Sequence, residues 1–114
     1  MAACIFCGII SGEIPGKVLF QDESVVAIED INPQAPLHLL IVPRRHIETL
    51  LQLNEADEGL MGHICSVATR LATEHGVAEK GFRLVVNCGA GAGQSVFHIH
   101  FHLLGGRPMK WPPG

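Results

Sequence analysis

Phe97-His98-Ile99-His100-Phe101-His102-Leu103-Leu104 is the stretch on which the fold and the chemistry of this chain turn. Side chains of a strand point alternately to opposite faces. The stretch therefore predicts a strand with Phe97, Ile99, Phe101 and Leu103 on a core face. His98, His100 and His102 line the other face at a spacing of about 6.5–7 Å. A half-wet strand explains one such His readily, but not three in strict alternation. Two chemistries suit them. Neutral imidazoles at i and i+2 can share a metal ion. Alternatively, one imidazole attacks phosphorus while its neighbours donate hydrogen bonds to the charged oxygens. The preceding run Asn87-Cys88-Gly89-Ala90-Gly91-Ala92-Gly93-Gln94-Ser95-Val96 favours the second. Short side chains let several backbone N–H groups converge on an anion. No Gly-Lys-Ser/Thr ending follows, so it is not a Walker loop. A strand follows it rather than a helix, so it is not a dinucleotide fingerprint either.

Working outward, Phe82 to Asn87 reads as another strand, and Cys88 to Gly93 connects the two. Upstream, Asn54 looks like an N-cap with Glu55, Asp57 and Glu58 in the first turn. Leu60, Ile64, Val67, Ala68, Leu71 and Ala72 recur at helical spacing until Gly76. Cys65 falls mid-helix and is expected in its core, while His63 and His75 are expected on its surface. Lys17 to Gln21 and Val25 to Glu29 predict a hairpin turning at Asp22-Glu23-Ser24. His38 to Val42 predicts a third strand, stopped by Pro43. Cys4 to Ile10 predicts a short helix ended by Gly12. The order is one short helix, three strands, one long helix and two strands, which indicates an antiparallel α+β domain. The tail Gly105 to Gly114, with Pro108, Pro112 and Pro113, should be extended and irregular.

The 114 residues fit one domain. Hydrophobic residues make up 47% and charged residues 17%, which excludes a disordered chain. So apolar a composition in so short a chain suggests a subunit contact. Net charge is −3 with the seven His neutral, and Arg44-Arg45 is the longest basic run. That argues against nucleic acid as a partner. The start Met1-Ala-Ala-Cys-Ile-Phe-Cys lacks the features of a signal peptide. No apolar stretch is long enough to span a membrane. The expected place is the cytoplasm, with the four Cys reduced, metal-bound or in the core rather than in disulfides.

Residues Gln94 to Gly106 resemble the histidine-triad signature His-φ-His-φ-His-φ-φ, where φ is apolar. Asp30-Ile31-Asn32-Pro33-Gln34-Ala35-Pro36-Leu37-His38 and Ile41-Val42-Pro43-Arg44-Arg45-His46-Ile47 resemble the same superfamily. The tail ending Trp111-Pro112-Pro113-Gly114 is similar to that of its nucleotide-binding branch, the purine nucleoside phosphoramidases. The resemblance implies a five-stranded antiparallel sheet that continues across a homodimer. It implies a hydrolase of purine nucleoside 5′-phosphoramidates or aminoacyl adenylates working through a covalent nucleotidyl-histidine. A purine nucleotide is then the small-molecule partner. His100 would be the nucleophile, His98 and His102 its triad companions, with His102 on the phosphate. His38 would orient His100. Asn87, Gly93, Gln94, Ser95 and Val96 would hold the phosphate and leaving group. Asp30 would hold the ribose, and Ile5, Phe6, Ile9, Ile28 and Ile31 would wall the base, although plain core explains Ile9 and Ile28 equally well. Trp111 would contact the partner subunit. The alternatives are a dinucleoside polyphosphate hydrolase of the same superfamily and a non-catalytic nucleotide-binding regulator.

One feature departs from the phosphoramidase branch. Cys4 and Cys7 stand at i,i+3 on one helix side. Some relatives with such a pair bind zinc, adding the residues that correspond here to His46 and His98. A structural zinc site and a pair of small apolar residues are both open at this point. The phosphorus chemistry itself requires no cofactor.

Overall fold

A computed structural model describes residues 4–114. Five antiparallel strands form one sheet in the order β1-β2-β3-β5-β4. The elements are α1 (Ile5–Ser11), β1 (Val18–Gln21), β2 (Val25–Glu29), β3 (Leu37–Pro43), α2 (Glu58–Glu74), β4 (Phe82–Val86) and β5 (Phe101–Gly105). The α+β class, the strand count and the two helices are as the sequence predicts. Among the described residues, no helix is long and apolar enough to cross a membrane.

The sheet divides two apolar clusters. On one face, Val25, Ala27, Leu39, Ile41, Ile99, Phe101 and Leu103 pack under α2. The helix contributes Ile64, Val67, Ala68, Leu71 and Ala72, the stripe expected from its periodicity. Each fully buried aliphatic side chain here contributes about 1.5–3 kcal/mol. Cys65 lies one position off that stripe and is exposed rather than in the core. On the opposite face, α1 covers Val26, Ile28, Leu40 and Val42 with Phe6. It covers only the β2–β3 end and leaves the β5–β4 end of that face open.

Local chemistry sets the boundaries. Asn54 caps as expected, its side chain accepting from the Ala56 N–H at 2.9 Å. The turn it opens is a 3-10 turn, Glu55–Asp57, which leads into α2. Gly12 ends α1 with φ 86°, a left-handed conformation that suits glycine. The last strand is shorter at its start than Phe97–Leu104, beginning at Phe101. Its ladder with β3 ends at Ile41↔Phe101. Two residues further along β3 stands Pro43, which has no N–H to continue the ladder. The Ile99 N–H turns instead to the Ile47 carbonyl at 2.6 Å. The strand also runs one residue further than expected, so Gly105 pairs with Leu37 and Phe82 and the tail begins at Gly106. A Cβ on Gly105 would lie 2.8 Å from a Val77 methyl, so this close approach requires glycine.

Candidate functional site

The three triad imidazoles keep their alternation although only His102 lies on β5 proper. Ile99, Phe101 and Leu103 face α2, and the His residues face the other side. Register sets their neighbours. His102 pairs with Leu40 on β3 and Val85 on β4, so His38, two residues from Leu40, shares their face.

Hydrogen bonds to groups of fixed polarity assign each ring its tautomer. His100 Nδ1 lies 2.8 Å from the His98 carbonyl, an obligate acceptor, so Nδ1 carries the proton. The Nε2 lone pair of His100 is thereby left for attack. His98 Nε2 donates to the Pro43 carbonyl at 2.7 Å, which leaves its Nδ1 as the lone-pair nitrogen. The Gln34 N–H donates to His38 Nδ1 at 3.0 Å, so neutral His38 holds its proton on Nε2. That proton is donated to His102 Nδ1 at 2.9 Å. His102 must then carry its own proton on Nε2, as a donor. The Asp30 carboxylate stands 3.4 Å from His38 Nε2 and accepts from the Asn32 N–H at 2.8 Å. Burial pushes His38 below its ordinary range against the pull of Asp30. Burial, with the His100 and His38 imidazoles beside it, pushes His102 down to about 4. Both are neutral at pH 7, which preserves the donor chain.

His38 therefore orients His102 and not His100, a correction to the expectation. The His98 carbonyl holds His100 instead. Phe6 packs edge-on against the His100 ring at 4.9 Å between centroids and is buried. Ile28 is buried in the α1 cluster, with Ile9 half-buried beside it. Ile5 is partly exposed on α1. Ile31 is 96% exposed and walls nothing within the chain, because it sits on the open loop between β2 and β3.

The glycine-rich loop is built differently from the expectation. The Gly93 N–H is already spent on the Ala90 carbonyl at 3.0 Å and so is not offered to a phosphate. Gly93 has φ 95°, which closes the 3-10 turn Ala90–Ala92. Gln94 is buried, and its amide is fully used. It accepts from the Gly89 N–H and donates to the Glu48 and Val96 carbonyls. Gln94 is thus a brace that shapes the loop rather than a ligand of the phosphate. Asn87 lines the groove beside His102. Ser95 and Val96 line a different hollow with Cys4, Ile5 and His46. The sequence reading missed the rest of the His102 groove, of about 440 Å³, which includes Gln34, Arg83, Val85, Leu104, Arg107 and Lys110. The period-2 pattern of β4 carried the signal for Arg83 and Val85. Nothing local marked Arg107 or Lys110.

Cys4, Cys7, His46 and His98 come together from three segments, with one ligand atom of each within 4.8 Å of the others. His98 Nδ1 lies 3.4 Å from Cys4 Sγ, 3.5 Å from Cys7 Sγ and 3.1 Å from His46 Nδ1. Cys7 Sγ is 3.4 Å from His46 Nδ1. A tetrahedral zinc ion sets S···N at about 3.6 Å and N···N at about 3.3 Å, from its usual bond lengths. The donor set therefore fits zinc in chemistry and in spacing. The Pro43 carbonyl supplies the outer hydrogen bond that fixes a ligating imidazole. Burial and the adjoining Cys4 thiol push the Cys7 thiol up.

Known proteins share this architecture. Residues 11–109 match the HIT domain. An uncharacterized HIT-like protein of Synechocystis is 44% identical over 110 residues, 96% of each chain. The crystal structure of a HIT family hydrolase from Legionella pneumophila superposes with a TM-score of 0.95 at 52% identity, covering 97% of this chain and 99% of that one. A zinc-bound histidine triad family protein from Mycobacterium smegmatis superposes at 0.80 with 32% identity, covering 92% of this chain and 76% of that one. With the domain matched over most of its length and close relatives aligned end to end, the chain belongs to the HIT domain family.

Proposed function

We propose that this protein hydrolyses purine nucleoside 5′-phosphoramidates or aminoacyl adenylates by way of a nucleotidyl-His100 intermediate. The observation that carries the proposal is the bond from His100 Nδ1 to the His98 carbonyl, which makes Nε2 the lone-pair nitrogen of the neutral ring. In the first step Nε2 attacks the α-phosphorus in line, and the P–N bond breaks. The amine keeps that bonding pair and takes up a proton from solvent; with an aminoacyl adenylate the P–O bond breaks instead and the carboxylate leaves with its pair. The carbonyl of His98 stabilises the cationic phospho-imidazolium through its hydrogen bond to Nδ1. His102, its Nε2–H aimed by His38, donates to an equatorial oxygen. Water then attacks the same phosphorus, the P–Nε2 bond breaks with its pair returning to the ring, and the proton lost from water goes to solvent, which releases the 5′-monophosphate and neutral His100. Asn87 and the Val96 N–H are proposed on the phosphate, Asp30 on the ribose, and Phe6 and Ile9 on the base.

Support comes from the family itself, whose Legionella pneumophila relative is described as a hydrolase. Steady-state turnover of adenosine 5′-phosphoramidate and diadenosine polyphosphates, each with and without chelator, tests the assignment. Preferred, chelator-resistant turnover of the phosphoramidate is expected. Preference for the dinucleotide would move the protein to the polyphosphate hydrolases, and turnover of neither would leave a nucleotide-binding regulator.

A structural zinc is proposed on Cys4, Cys7, His46 and His98. The spacing of the ligands and the zinc-bound Mycobacterium smegmatis relative support it. Its chemistry there would be cross-linking, joining α1 to the segment after β3 and to the one before β5.

A further inference from the structure

We propose that Cys4 and Cys7 are a thiol–disulfide pair that controls His100: reduced, they hold the nucleophile in place, and joined as a disulfide they release it. The effect on rate rests on the proposed role of His100, whereas the modification itself does not. The two sulfurs lie within 4.8 Å of each other. Cys4 Sγ accepts the Cys7 N–H at 3.4 Å, so the pair shares one turn at the start of α1. Rotation of the two side chains brings the sulfurs to bonding distance. Both cysteines are half-buried, and Cys4 and His46 open on a hollow of about 410 Å³. A small oxidant therefore has a path to the sulfurs. With a hydroperoxide, one thiolate attacks an oxygen, the S–O bond forms and the O–O bond breaks. The far oxygen leaves with its pair and takes a proton from solvent. The second thiolate attacks the resulting sulfenic sulfur, the S–S bond forms and the S–O bond breaks. Hydroxide leaves and is protonated to water. The sulfurs are oxidised and the peroxide is reduced, and a dithiol reverses the change.

Two connections tie the pair to the nucleophile. The first runs through His98. Its Nδ1 lies 3.4 Å from Cys4 Sγ and 3.5 Å from Cys7 Sγ, while its carbonyl holds His100 Nδ1 at 2.8 Å. Phe6, between the two cysteines in sequence, packs edge-on against both rings, 5.9 Å from His98 and 4.9 Å from His100 between centroids. The second runs through His46, whose Nδ1 is 3.4 Å from Cys7 Sγ. The next two carbonyls, of Ile47 and Glu48, accept from the Ile99 N–H and the Gln94 side chain, on either side of His98. Reduced sulfurs serve these imidazoles either as metal ligands or as hydrogen-bond partners. A disulfide has neither thiolate charge nor S–H, and forming it turns both sulfurs toward each other. His98 is then held only by the Pro43 carbonyl, and Phe6 shifts with α1. A nucleophile displaced by about 1 Å costs about 100-fold in rate.

The test exposes the purified full chain to hydrogen peroxide and then removes the peroxide with catalase. Peptide mapping should find a Cys4–Cys7 disulfide, and the ¹⁵N signals of His98 and His100 should change. kcat on adenosine 5′-phosphoramidate should fall about 10- to 100-fold, and dithiothreitol should restore both rate and spectrum. Reduced protein treated with chelator should keep its rate, which separates the disulfide from loss of metal. The Cys65→Ser, Cys88→Ser double variant should respond to peroxide as wild type does. Cys7→Ser should show no peroxide-dependent fall from its own untreated rate. Absence of the disulfide, or a disulfide that leaves kcat and the His100 signals unchanged, overturns the proposal. So does an equal fall on chelation alone, or a fall that dithiothreitol does not reverse. Disulfide and ¹⁵N signals are read without substrate, so a protein that turns over no phosphoramidate fails the proposed hydrolysis while the pair is still tested.

Discussion

Replacing His38 with Leu tests the donor chain through His102. Leu is close in size and pairs well with the apolar β3 face, so the change removes the bond to His102, the acceptor of the Gln34 N–H and the contact with Asp30, with little change in packing. His102 Nδ1 then loses the 2.9 Å bond that makes it an acceptor. A buried polar atom left without its partner costs about 1–3 kcal/mol. In the transition state that cost appears as a misaligned or wrongly protonated donor, so kcat should fall about 10- to 100-fold. KM should change less, because His38 itself is given no contact with the nucleoside and reaches it only through its neighbour Asp30. A merely structural role would lower stability without touching the tautomer. The assay therefore pairs kinetics on adenosine 5′-phosphoramidate with ¹⁵N NMR of the imidazoles. Wild type should show His102 as the Nε2–H tautomer, and the variant a mixture. His38→Gln, which can still donate an amide N–H, should recover part of the rate. Wild-type kcat with an unchanged ¹⁵N spectrum in His38→Leu would show that His38 does not set the His102 tautomer.

Three more outcomes are expected. Protein never exposed to chelator should contain about one zinc per chain, and chelation should lower its melting temperature; metal content near zero would reject the Cys4, Cys7, His46, His98 site. Metal-free protein should lose stability on acidification from about pH 6.5 towards 4 in urea melts, because His38 and His102 titrate lower folded than unfolded, so the unfolded chain takes up the extra protons. Their contribution is fully present above pH 6.5, and a flat profile across that window would contradict it. A two-fold homodimer is expected, since β4 is a half-buried apolar edge strand and Trp111 is 82% exposed. Light scattering at micromolar concentration and kinetics after deletion of Met109 to Gly114 test this, a fully active monomer being the contrary result.

How far the sequence alone reaches depends on whether the signal is local. The stripe Ile64, Val67, Ala68, Leu71 and Ala72 is a period, so the core face of α2 was legible residue by residue. The alternation from Phe97 to Leu103 named the imidazole face, although the ladder stops at Phe101 for want of a Pro43 N–H. The Cys4 and Cys7 pair found its two distant imidazoles only through the family resemblance, since nothing local links residue 7 to residue 98. The link from His38 to His102 was not legible either. It depends on the β3–β5 register, and register is set by the whole sheet. Gln94 and Gly93 misled for a related reason. A glycine-rich run states that backbone N–H groups are available, but not which of them the turn itself consumes.

The proposed hydrolysis depends on a covalent bond between His100 and the nucleotide. Rapid quench of wild-type protein with radiolabelled adenosine 5′-phosphoramidate, followed by peptide mapping, tests it most directly. An acid-labile, base-stable nucleotidyl adduct is expected on the peptide containing His100, formed at least as fast as steady-state turnover. His100→Ala should form no adduct, with kcat lower by about 10³-fold or more. Wild-type turnover persisting in that variant, or an adduct on another residue, would contradict it.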